Sequence, residues 1–197
     1  MKASRMRLGR AAISSAAIAA FGLSVFTPAL GAQNVTPPPG AVVNTIKIKG
    51  PGGGLRFSGP KTAVAGSFLT IENDTHASQV GPHTFSLVTK SSIPKTKNAR
   101  KKCFTPGHIC RSIAHWHGVK GNGPPTKNPA EAGVAGWDTE GSKKKKGDSW
   151  FTGSKPNASI TQQLSADTSG GPVTLYYMCA IHPFMHGKIT VEPPASG

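Results

Sequence analysis

Cys179, His182 and Met185 fall within seven residues, in the run Tyr177-Met178-Cys179-Ala180-Ile181-His182-Pro183-Phe184-Met185-His186-Gly187. They offer a thiolate, an imidazole and a thioether, three donors that suit a soft ion such as copper. A trigonal set of two histidines and a cysteine, completed by a weak axial methionine, is the arrangement of copper sites that pass single electrons. The loop holds one histidine between its cysteine and its methionine. His83, in Gly81-Pro82-His83-Thr84-Phe85-Ser86-Leu87-Val88, is placed to supply the second. His186, beside Met185, is the alternative fourth donor.

Such donors need a rigid frame, because the two oxidation states of copper prefer different geometries. The frame is legible as strands. Residues 44–49 alternate apolar and polar at period two, and Gly50-Pro51-Gly52-Gly53-Gly54 turns the chain. Residues 55–57, 67–72 and 83–89 read as further strands, followed by 149–152, 158–164, 173–178 and 188–192. The β-prone run 173–178 leads into Cys179, and the last strand begins just after Met185, so the sheet holds the ligand loop at both ends. Seven or eight short strands separated by loops predict an all-β, Greek-key β-sandwich.

Residues 90–146 differ in character and read as an insertion between strands. Stretches 98–104 and 109–116 are suited to short helical turns; 121–141 is rich in Gly, Pro and Asn; Lys143 to Lys146 form a solvated basic tip. The chain has three cysteines, an odd number. Cys103 and Cys110, seven positions apart, are the natural disulfide in an oxidising compartment. Cys179 is then the unpaired thiol, and coordination would protect it.

Export is expected from the first 32 residues. Lys2, Arg5, Arg7 and Arg10 precede a small-residue apolar run over 11–26, and Thr27-Pro28-Ala29-Leu30-Gly31-Ala32 suits cleavage after Gly31 or Ala32. Ser14, Ser15, Gly22 and Ser24 interrupt the run, which argues against a membrane span. A Pro-rich spacer covers 33–41. The full chain carries a formal charge of +15, of which about +11 stays after the leader is removed. That balance favours an acidic redox partner or anionic cell-surface material. Nucleic acid is excluded as a partner by export and by the lack of an interleaved aromatic-basic module.

The run 177–192 resembles the copper loop and last strand of amicyanin and, more broadly, of plastocyanin-type cupredoxins. The two residues between His182 and Met185 match the amicyanin spacing, and Pro82-His83 before a β-prone run is similar to the family's first-ligand segment. The resemblance covers about 44–89 and 149–192, within one domain expected over 42–193. It implies a cupredoxin sandwich holding one type 1 copper per chain, with ligands His83, Cys179, His182 and Met185. It also implies electron transfer; four protein donors leave no open position for a substrate, so a monomeric carrier and not an enzyme is expected, with copper storage or delivery at the cell surface as the alternative. Pro183 and Phe184 would form an apolar patch around His182, where electrons leave. Thr84 stands where the family commonly has an asparagine that ties the ligand loops together. Its hydroxyl offers one such bond in place of the full amide pattern.

His115-Trp116-His117 resembles one paired-histidine segment of multicopper oxidases, which need several. An accessory metal site with His108 is one reading; Trp116 anchoring the insertion on the sandwich is the other. Asn34, Asn73 and Asn157 each begin a glycosylation acceptor pattern.

Overall fold

A computed structural model describes residues 34–119, 136–153 and 155–195. The expected leader over 1–32 and most of the stretch 121–141 lie outside these residues. No helix among the described residues is long and apolar enough to cross a membrane.

Nine strands among the described residues form two sheets. The first has the order β2 (Arg56–Ser58), β1 (Val43–Lys49), β4 (Phe68–Asn73), β7 (Ser159–Gln163). The second has the order β3 (Thr62–Val64), β9 (His186–Glu192), β8 (Val173–Met178), β5 (Thr84–Leu87), β6 (Ser149–Phe151). Both sheets are mixed, because β1 runs parallel to β4 and β3 parallel to β9. The sandwich and the eight expected strands are therefore present, with β3 added.

Period-two patterning puts one apolar face of each sheet into a shared core. Ile46 and Ile48 from β1, Leu69 and Ile71 from β4, and Ile160 from β7 meet Phe85, Leu87, Leu175, Tyr177, Ile189 and Val191 from the opposite sheet. Cys179 and Met185 belong to the same core. Phe85 and Tyr177 lie with ring centroids 4.8 Å apart, and Trp137 meets Phe85 edge-on at 5.2 Å.

The second sheet is covered on its outer face as well. Val88, Met178 and Ala180 point away from the sandwich core and pack against Ile109, Cys110 and Ile113 of the insertion. Those three residues lie on one stripe of the helix α3 (Ile109–Trp116), the spacing that buries one side of a helix. Trp116 packs against the same cluster, so it anchors the insertion as expected. Two smaller helices, α1 (Ala77–Val80) and α2 (Lys97–Lys101), complete the described helical structure, with a 3-10 turn at Lys90–Ser92. Thr96 caps α2 by accepting the Ala99 N–H at 3.1 Å.

Ties within the insertion and from it to the sandwich order this segment. The Cys103–Cys110 disulfide links the segment after α2 to α3, as the spacing predicts. The carboxylate of Asp148 accepts the N–H groups of Asp138 and Thr139 at 2.9 and 2.7 Å. Glu140 accepts the N–H of Tyr176 at 2.8 Å.

Candidate metal centre

Cys179 follows directly on β8 and is fully buried and unpaired. His83 precedes β5, the strand hydrogen-bonded beside β8, so 96 positions of sequence separation collapse to contact. Its backbone N–H donates to Thr152 Oγ1 at 2.9 Å, which fixes the start of the strand. His182 and Met185 come from the tight turn between β8 and β9. That turn is closed by two backbone bonds: Cys179 N–H to the Met185 carbonyl at 3.0 Å, and Met185 N–H to the His182 carbonyl at 2.8 Å.

The two imidazoles converge on the sulfur. Cys179 Sγ lies 3.9 Å from His83 Nδ1 and 3.8 Å from His182 Nδ1. The three donor atoms all fall within 4.8 Å of one another. An ion bonded to a thiolate at about 2.3 Å and to an imidazole at about 2.0 Å, at trigonal angles, would separate sulfur from nitrogen by about 3.7–3.8 Å. The observed spacings fit that geometry. His83 is fully buried, and its Nε2 has no hydrogen-bond partner. Its Nδ1 is the nitrogen that faces the sulfur, and a cation bound there would give that buried lone pair a partner. Met185 is buried in the sandwich core, where a thioether is at home.

Burial, with the neighbouring His182 adding to it, lowers His83 from 6.5 to about 4. His182 is lowered by burial, and a hydrogen bond to the Val80 backbone acts in the opposite sense. Burial pushes the Cys179 thiol up, opposed by hydrogen bonds from Thr84, His182 and Ile181. The pocket therefore keeps both rings neutral and ready as ligands, and leaves the thiol to lose its proton to an entering metal.

The donors are supported by the neighbours the sequence pointed to. Thr84 N–H lies 3.4 Å from Cys179 Sγ, and Thr84 Oγ1 accepts the Ala180 N–H at 2.8 Å. Threonine thus joins the two ligand segments with its backbone and its hydroxyl together. His182 N–H also reaches the sulfur at 3.4 Å. Phe184 is 49% exposed and meets the half-buried His182 ring edge-on at 5.9 Å, with Pro183 half-buried beside it.

The paired histidines diverge. His115 is exposed, whereas His117 turns inward and its Nε2 lies 2.8 Å from Ser149 Oγ. His108 Nδ1 bonds instead to Thr105 Oγ1 at 2.9 Å. Among the described residues, the site of His83, Cys179 and His182 is the one group of three such donors. Asn73 is fully buried with Oδ1 bonded to Thr75, so a glycan has no access to it. Sequence reasoning passed over Thr152, Val80, Ser86 and Ser149. An every-second-residue run of small hydroxyls on β5 was the available signal for Ser86.

No protein-family model and no curated protein matches the chain. Among solved structures, it is similar to auracyanin B at 14% identity and a TM-score of 0.40, covering 83% of this chain and 96% of that one. It is similar to a dithionite-reduced auracyanin from the photosynthetic bacterium Roseiflexus castenholzii at 17% identity and a TM-score of 0.38, covering 78% and 100%. It is also similar to auracyanin A, a "blue" copper protein of the green thermophilic photosynthetic bacterium Chloroflexus aurantiacus, at 20% identity and a TM-score of 0.39, covering 78% and 100%. The chemical reading of the site rests on its own residues and distances.

Proposed function

We propose that this chain is an exported type 1 copper protein of cupredoxin type that carries single electrons between redox partners. His83, Cys179, His182 and Met185 are its ligands, in one domain over 42–193 with the insertion at 90–146. The observation that carries the reading is the approach of two histidine Nδ1 atoms to one buried, unpaired thiol at 3.9 and 3.8 Å. Copper bound there would supply a one-electron couple.

Four protein donors leave no open position for a substrate, which favours carriage over catalysis. Burial of His83, Cys179 and Met185 favours retention of the metal over its storage or delivery. His182 and the exposed Phe184 mark the exit for the electron. A cleft lined by Lys90, Lys95, Arg100, His186 and Lys188 opens beside the residue that follows Met185, and supports an acidic redox partner or anionic cell-surface material as the docking surface. The chain acts as a monomer.

A redox titration of the copper-loaded protein tests this function. One reversible electron per chain, with copper retained through repeated cycles, supports it. Transfer of the copper to a competing chelator within each cycle would favour delivery.

A further inference from the structure

We propose that His117, acting through Ser149 and Ser86, positions Thr84, whose N–H faces the Cys179 sulfur, and that this buried chain from the insertion sets the potential of the metal centre. The inference rests on the copper reading of the site and names residues beyond the ligands and their immediate neighbours.

The chain is continuous. His117 Nε2 lies 2.8 Å from Ser149 Oγ, Ser149 Oγ lies 2.6 Å from Ser86 Oγ, and Ser86 Oγ lies 3.2 Å from Thr84 Oγ1. All four side chains are at most 4% exposed. Ser86 and Ser149 are register partners across β5 and β6, and Thr84 sits two residues before Ser86, so the three hydroxyls share one face of the sheet. The insertion covers that face, and His117 closes the C-terminal end of α3 over it. The Phe151 ring holds His117 at a centroid distance of 5.9 Å.

Hydrogen counting gives the chain a direction. Ser86 donates to Thr84, and a hydroxyl has a single hydrogen. Ser86 must therefore accept from Ser149, and Ser149 must accept from His117. His117 carries its hydrogen on Nε2. Every bond then points toward Thr84, whose oxygen also accepts the Ala180 N–H. Thr84 is thereby held with its N–H 3.4 Å from the Cys179 sulfur and its oxygen on the residue next to it. Aligned donors reinforce one another in a buried setting. Hydrogen bonding at the cysteine sulfur is one of the levers on a copper potential, because a stabilised thiolate donates less to the metal and favours the reduced state.

Four variants test this: Ser149→Ala, Ser149→Thr, His117→Leu and His117→Gln. In the copper-free wild type, nitrogen NMR should find the His117 hydrogen on Nε2. In the copper-loaded protein, Ser149→Ala and His117→Leu should lower the reduced-to-oxidised ratio at fixed potential about threefold to tenfold, the tenfold limit being about 59 mV. The sulfur-to-copper vibration should rise with it. Ser149→Thr and His117→Gln keep a hydroxyl or an N–H donor and should stay within about twofold of wild type. If Ser149→Ala fails to fold, the His117 pair decides the matter. A hydrogen on Nδ1, or equal shifts for His117→Leu and His117→Gln, overturns the chain and leaves the copper reading standing. A wild type without a thiolate-to-copper absorption overturns both.

Discussion

Thr84 and the Cys179 segment are joined by two bonds of opposite sense. The Thr84 N–H points at Cys179 Sγ from 3.4 Å, and Thr84 Oγ1 accepts the Ala180 N–H at 2.8 Å. One residue on β5 thereby locks the strand that brings His83 to the turn that brings the other donors. Replacing Thr84 with alanine keeps the first bond and leaves the buried Ala180 N–H without its acceptor. The expected cost is about 1–3 kcal/mol in the denaturant unfolding of the copper-free protein. Thr84→Ser should recover most of it, and an alanine variant as stable as wild type would remove the hydroxyl from the account.

The disulfide supports the insertion and not the donors. Changing both Cys103 and Cys110 to serine opens a loop of seven residues' separation and should cost about 2–3 kcal/mol. Copper uptake and colour should survive, since His83, Cys179, His182 and Met185 are held by β5, β8 and β9. A urea midpoint and a visible spectrum on one sample check both halves; a variant that keeps its stability but loses its colour contradicts this division.

Proton release should report the protonation of the donors before copper enters. At pH 7 both ligand rings are neutral, with His83 lowered to about 4, while Cys179 keeps its proton. Copper entry should therefore release about one proton, all from the thiol. Calorimetry in two buffers of different ionisation enthalpy measures that number, and a release of two or more would mean that a histidine is charged beforehand. The His83 shift also has a stability consequence. Its folded value lies below the ordinary 6.5, so between pH 6.5 and about 4 the unfolded chain binds the extra proton. The contribution of His83 is complete above pH 6.5 and declines as the pH falls through that window.

Docking should run through the basic cleft. Lys95→Glu with Lys188→Glu reverses two charges in a cleft that also holds Lys90 and Arg100. Electron transfer to an acidic redox protein, followed by stopped flow, should slow about tenfold or more at low salt and converge with wild type at high salt. A wild-type rate indifferent to ionic strength would remove charge steering from the account.

Much of this was legible in the sequence because ligand spacing is local. Cys179, His182 and Met185 sit in one turn, and His83 opens a strand, so residue types and positions sufficed to pick out the three donors, His83, Cys179 and His182, that the structure brings together. The alternation Ile46-Lys47-Ile48 likewise marked β1, since one of its faces is solvated. The outer face of β5 was opaque for the converse reason. Thr84-Phe85-Ser86-Leu87 alternates as though its hydroxyls met water, yet the strand is buried on both faces. What covers it is α3, a helix from the insertion, and that contact is tertiary. β3 is three residues long and carries too little periodicity to register, and the parallel pairing of β1 with β4 leaves no mark on either strand's own pattern.

The most direct test of the central claim is the visible spectrum of the protein loaded with copper(II), recorded beside Cys179→Ser. The wild type should bind one copper per chain and turn intensely blue through thiolate-to-copper charge transfer, and the variant should lose that colour while its sandwich stays folded. A wild type that binds copper(II) and remains colourless would contradict the account.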